Sequence, residues 1–203
     1  MGRTWFSSEV TDERTKLSDP VVMRALAHPA RLAILEHLSL NEVGATATEC
    51  AEVVGLSPSA TSYHLRALAR AGMIVEGPSR GDGRERVWQR KHTNYTVSGE
   101  FDANAEDIAA ETAMAESVLA HQNDRVRRYL AVARDEGEYE WYQAVMITDQ
   151  TLVMTAAELS DLIEKIDELT QPFERRLRKD PPKGSRNVAL QLRAVPLLSR
   201  DVK

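Results

Sequence analysis

The chain has 203 residues, 42% of them hydrophobic and 28% charged, a composition that excludes disorder throughout. No apolar run approaches the roughly 20 residues a membrane helix needs. The first 20 residues lack a signal peptide's apolar stretch, and the single Cys50 cannot form an internal disulfide, so a cytoplasmic protein is expected. The net charge of −5 conceals a sorting: Lys+Arg against Asp+Glu run 9 to 8 over residues 17–97, 9 to 19 over 98–180 and 5 to 1 over 181–203. Residues 57–97 alone hold seven bases against three acids, and local sign decides which partner a surface attracts.

Residues 1–17 are mixed and polar and read as a loosely held arm. Ser18-Asp19-Pro20 starts a helix by cap-plus-proline chemistry, with Val21, Val22, Leu26 and Ala27 apolar until His28-Pro29 interrupts. A second helix carries Leu32, Ile34, Leu35 and Leu38. Thr46-Ala-Thr48 can cap a third, short helix ending at Gly55, where a left-handed residue is cheap. Ser57-Pro58 opens a fourth, with Leu65, Leu68 and Ala69 on its apolar face and Gly72 as its stop. Met73-Ile-Val75 and Glu85–Arg90 then read as two strands around the flexible turn 77–83.

From Asn104 to about Arg134 the pattern is helical again. Ile108, Thr112, Ala115, Leu119, Gln122, Val126, Tyr129 and Ala133 recur with 4-3-4-3 spacing. That seam can pack on its own chain or on a copy of itself. Farther on, 141–147 and 151–154 read as strands, Thr155-Ala-Ala-Glu158 as a capping box, and Leu159, Leu162, Ile163, Ile166 and Leu169 as one face of a helix. Val188, Leu190, Leu192 and Ala194 alternate, which predicts a last strand with one buried face.

Ala51, Gly55 and Leu56-Ser-Pro-Ser-Ala-Thr-Ser-Tyr-His-Leu65 have the spacing of a helix-turn-helix. A small residue lets the second helix pack close, a glycine makes the turn, and small polar residues let the next helix sink into a major groove. Ser59, Ser62, Tyr63 and Arg66 fall on one side of that helix. Arg80, Arg84 and Arg86 on the hairpin can straddle the backbone or enter the minor groove. His64 is open between a phosphate hydrogen bond and a buried packing role.

Ala25-Leu-Ala-His-Pro-Ala-Arg-Leu-Ala-Ile-Leu35, Leu56–Leu68 and Ala71-Gly-Met-Ile-Val75 together resemble the ArsR/SmtB-type winged-helix transcription regulators, over about residues 19–97. The resemblance implies a homodimer that reads a palindromic operator in double-stranded DNA, most readily as a repressor. Carried over by position, Ser59, Thr61, Ser62, Tyr63 and Arg66 face the groove. Thr61 departs from the inward-packing apolar residue usual in the family, and Tyr63 replaces a common histidine. The helix after the wing makes the dimer in this family. The fold class expected is therefore α+β, mainly α. A winged helix-turn-helix domain covers 18–98, a long dimerisation helix 103–136 and a small α/β region of unassigned role 139–203.

Soft-metal sensing needs several clustered thiolates, and Cys50 stands alone; it reads as a small core residue. His121 and Asp124 share a helix face without a second acid–histidine pair, so neither a metal nor another cofactor is expected. His28 and His37 read as caps or surface groups. The last third could instead close an apolar pocket for a small-molecule effector, from Val145, Ile147, Leu152, Leu162 and Ile166. A winged helix turned to protein contact is a further reading, although residues 57–70 contain Arg66 and Arg70 and no acid. No catalytic residue and no enzyme activity are expected, since no nucleophile elbow, phosphate loop or Rossmann glycine pattern occurs.

Overall fold

The structure is a computed structural model and describes residues 15–17, 19–80, 85–91, 95–97, 102–134, 139–175 and 177–197. The chain divides into two compact units, residues 1–126 and 127–203. Arg84 of the expected wing lies outside the described residues.

The first unit begins with β1 (Thr15–Leu17), α1 (Pro20–Leu26) and α2 (Pro29–Leu40). The main-chain N–H of Val21 donates to Asp19 Oδ1 at 2.8 Å, and Pro20 follows that cap. His28 caps α2, its Nδ1 accepting from the Ala30 N–H at 3.2 Å. Then come β2 (Ala45–Thr46), α3 (Ala47–Val54), α4 (Pro58–Arg70), β3 (Ile74–Glu76), β4 (Val87–Arg90), β5 (Tyr95–Val97) and α5 (Ala105–Val132). Strand β4 is central to a three-stranded antiparallel sheet in the order β2-β4-β3, with Ile74 opposite Arg90 and Glu76 opposite Trp88. Strand β1 pairs parallel with β5, Thr15 opposite Tyr95. The arm expected over 1–17 thus ends in a strand, because parallel pairing between distant residues leaves no local signal.

Leu26, Ile34, Leu35, Leu65, Leu68, Met73 and Ile74 form the centre of one core, each at most 2% exposed. Burying such a side chain contributes about 1.5–3 kcal/mol. Helix α5 starts under an Asn104 cap, whose Oδ1 accepts from the Glu106 and Asp107 N–H groups at 3.0 Å. It adds Ala110 and Met114 to the core, with Val118 packed against it. Glu36 on α2 meets His121 at 2.8 Å and Arg125 at 2.7 Å, and Arg24 meets Glu106 at 3.1 Å. The stripe of α5 that packs on its own chain is therefore Ala110–Met114–Val118–His121. Ile108, Thr112 and Leu119, on the expected seam, are exposed.

The second unit contains α6 (Tyr139–Ala144), α7 (Ala156–Thr170) and a single 3-10 turn, Gln171–Phe173. Thr155 and Glu158 form the expected capping box, with Thr155 Oγ1 accepting from the Glu158 N–H at 3.2 Å. The strands expected at 141–147, 151–154 and 188–194 are not formed; α6 occupies the start of the first, and the others join no sheet among the described residues. A strand exists only through a ladder partner, and alternation in sequence does not provide one. Of the residues expected to line an apolar pocket, Val145, Ile147 and Leu152 are exposed and Leu162 and Ile166 are half-buried.

Candidate nucleic-acid interface

Three local devices set the angle between α3 and α4. Thr46 and Glu49 close a capping box on α3: the Glu49 N–H donates to Thr46 Oγ1 at 3.2 Å, and the Thr46 N–H to Glu49 Oε2 at 2.6 Å. Gly55 ends α3 at φ 66°, the left-handed region that a side chain disfavours. Ser57 then accepts the Ala60 N–H at 3.2 Å and Pro58 starts α4.

Helix α4 has two sides. Thr61, His64, Leu65 and Leu68 are buried, whereas Ser59, Tyr63, Arg66 and Arg70 are exposed and Ser62 is half-buried. The exposed set lies at helical spacing, polar at the amino end and positive farther on. Of the residues expected to face a groove, Ser59, Ser62, Tyr63 and Arg66 share this surface. Two do not. Thr61 is fully buried and its hydroxyl donates to the Ser57 carbonyl at 3.0 Å, so it packs inward. His64 is 9% exposed and its Nδ1 accepts from Arg31 Nε at 3.5 Å, the surroundings of a packed side chain.

His64 belongs to a cluster that pattern reading missed. Its ring lies 4.5 Å from that of His28, and Arg31 Nη1 donates to the carbonyls of Ala25 at 2.9 Å and Arg24 at 3.1 Å. Burial, then the Arg31 guanidinium, hold the His28 pKa below its usual value. Burial, then His28 and Arg31, do the same for His64. Both rings are thereby favoured as neutral acceptors. The only hint in the sequence was His-Pro-Ala-Arg at a helix start, and its partner lies 33 residues away on α4.

The wing supplies arginines of two kinds. Arg80 is turned onto its own chain. Its Nη1 is 3.1 Å from Glu49 Oε1, and its Nη2 donates to the carbonyls of Val43, at 3.1 Å, and Gly44. The main-chain and Arg80 bonds keep the Glu49 carboxyl below the ordinary range. Arg80 therefore ties the root of the wing to the start of α3. Arg86 has a side chain 69% exposed, 3.8 Å from Glu76 Oε2. Between α3, α4 and the wing runs a cleft of about 490 Å³, lined in part by Thr48, Ser62, Arg66, Glu85 and Arg86.

Cys50 is fully buried in the core, and burial together with Glu49 pushes its thiol up to about 11. It stays a protonated, unreactive apolar group at neutral pH. His121, weighed as a metal ligand, is engaged by Glu36.

A helical core in which α3 and α4 make a tight turn, followed by the antiparallel β3–β4 hairpin, is the winged helix-turn-helix arrangement. Residues 26–76 match the helix-turn-helix domain family, from the end of α1 to the end of β3. Two solved structures are similar at a lower level. A MarR family transcription regulator is 18% identical over 78% of this chain and 82% of that one, with a TM-score of 0.31. The PcaV transcriptional regulator from Streptomyces coelicolor, solved with its natural ligand, is 15% identical over 80% and 79%, with a TM-score of 0.25. Superpositions this loose carry no argument about ligand or assembly. No curated protein sequence matches the chain, and no helix among the described residues is long and apolar enough to cross a membrane.

Proposed function

We propose that this chain is a sequence-specific transcription regulator of the ArsR/SmtB type, binding double-stranded DNA as a homodimer on a palindromic operator and repressing by occupying it. The observation that carries the reading is the exposed stripe Ser59–Tyr63–Arg66–Arg70 beside the exposed Arg86, with no acid in residues 57–70. Small polar groups at the amino end of α4 fit a groove floor, and the arginines suit phosphates or a guanine edge. Arg84, on the same hairpin, belongs to the proposed wing contact. Arg80 takes the role of holding the wing in place.

A lone winged helix reads few base pairs, and two-fold pairing doubles the site. Ile108 and Leu119 leave an apolar stripe on α5 outside its own core, and it supports pairing through that helix. The acidic 98–180 segment is repelled by phosphate and leaves contact to the basic domain.

Selection of bound duplexes from a random library at two salt concentrations tests the proposal. An inverted repeat with half-sites about one helical turn apart is expected. Retention without sequence preference, lost as salt rises, would reduce the protein to an electrostatic binder. No retention at either salt would overturn the reading in favour of protein contact.

A further inference from the structure

Neither α6 nor α7 buries a side chain, yet the region around them is far from polar. Val145, Met146, Ile147, Leu152 and Val153 are exposed, as are Val188, Leu190, Leu192 and Val195. Helix α7 carries Leu159, Leu162, Ile163 and Ile166 along one stripe. Of these, Ile163 is exposed and the other three are half-buried, and exposed apolar side chains in such number mark a contact site.

Residues 187–195 have a strand's pattern and no sheet. Val188, Leu190 and Leu192 alternate with Ala189, Gln191 and Arg193, and the run is bounded by Pro181-Pro182 and Pro196, neither of which can donate to a ladder. The segment joins no sheet among the described residues. Such a segment is a template for another strand.

Charge selects the occupant. Residues 156–170 hold five acids, Glu158, Asp161, Glu164, Asp167 and Glu168, against Lys165, while residues 174–193 hold seven bases against two acids. A patch bearing both signs complements itself under a two-fold rotation, as an isologous contact requires, whereas a patch of one sign repels its own copy.

We infer that residues 187–195 of two copies of this chain pair antiparallel into a shared ribbon, with the apolar stripe of α7 laid on its Val188–Leu190–Leu192 face. A two-stranded ribbon is marginal alone and needs a helix over its apolar face. The acids of α7 then lie beside the basic segment of the other copy. This contact goes beyond the DNA-binding reading and does not rest on it.

Single cysteines placed one at a time over residues 187–195 of the full-length chain test the pairing. Cys50 does not compete, being buried and protonated. In an antiparallel pair related by a two-fold axis, one residue faces itself and its neighbours lie progressively farther from their copies. With a short thiol cross-linker, the covalent dimer should peak at one position and fall on both sides. Adding Leu190→Asp to a peak variant at another position should abolish the peak, and Leu190 is exposed enough for the chain to keep its fold. A flat yield along the segment, or none anywhere, would overturn the ribbon. The same variants, before cross-linking, are titrated with duplex DNA. Loss of DNA binding with the peak intact counts against the winged-helix reading alone; a missing peak with DNA binding intact counts against the ribbon alone.

Discussion

Arg80→Ala and Arg86→Ala remove the same side chain from two places on one hairpin and should fail in different ways. Arg80 makes one part-exposed ion pair to Glu49 and holds the carbonyls of Val43 and Gly44. An exposed pair is worth about 0.2–1 kcal/mol and a hydrogen bond from a charged donor roughly 1.5 kcal/mol at the lower end. Taken at face value these exceed about 3 kcal/mol, but water screens a side chain that is 37% exposed, so losing the set should cost about 1–2 kcal/mol of domain stability. Arg86, largely exposed and 3.8 Å from Glu76, should cost less than about 0.5 kcal/mol. On DNA the order reverses. Each phosphate contact adds about 0.9 to the slope of log affinity against log salt, so a dimer lacking Arg86 twice should lose about 1.8. The affinity drop between 50 and 200 mM salt then narrows roughly tenfold. Arg80→Ala should weaken binding through a loosened wing and leave the slope unchanged. Anisotropy titrations over a salt series, with thermal melts of both variants, decide it. A slope reduced equally by Arg80→Ala, with its melting temperature unmoved, would refute the tether.

Three further outcomes follow from the same geometry. Thr61→Val should leave operator preference intact and stability within about 1 kcal/mol of the parent, since one local hydroxyl bond is exchanged for apolar packing; a changed selected sequence would put Thr61 back on the groove. Burial holds the pKa values of His28 and His64 below the ordinary 6.5 of a histidine, so the unfolded chain takes up protons that the fold resists. Stability is full above 6.5 and falls as pH drops below it. His28→Asn keeps a cap acceptor and should flatten the melting temperature on the acid side, and an undiminished slope would count against the cluster. Gly44→Ala should destabilise by more than about 2 kcal/mol in urea unfolding, because φ is 77° and a Cβ would meet the Trp88 carbonyl at 2.5 Å. A neutral result would mean that the β2–β4 junction yields.

What the sequence revealed was what neighbours in the chain encode. Asp19-Pro20, Thr46-Ala-Thr48 and Ser57-Pro58 each start a helix within a few residues, and Asp19, Thr46 and Ser57 form the caps; the Glu49 half of the second cap was not legible. The outward side of α4 followed from helical spacing alone. The role of Arg80 did not, because its partners Val43, Gly44 and Glu49 lie more than 30 residues back. Nor did the depth of His64, whose burial depends on Arg31 from another helix. The seam on α5 was legible as a helix but not in its rotation, since Ala110 and Met114 are small or flexible and carry little periodic weight. Alternation at 188–194 predicts a strand, although alternation specifies a face and leaves the partner unnamed.

The first hydroxyls of α4 are already occupied. Thr61 holds the Ser57 carbonyl and Ser62 holds that of Pro58, at 2.8 Å. A base edge that recruits Ser62 must displace a bond already made, and such an exchange is close to even. Under the proposed function, discrimination among operators then falls to Tyr63 and Arg66, neither of which has a hydrogen bond or ion pair among the described residues. Under the proposed function, half-sites would be free to drift in the course of evolution wherever those two side chains do not reach. A guanine lost beneath Arg66 would be the change that silences a site, at about 1–3 kcal/mol.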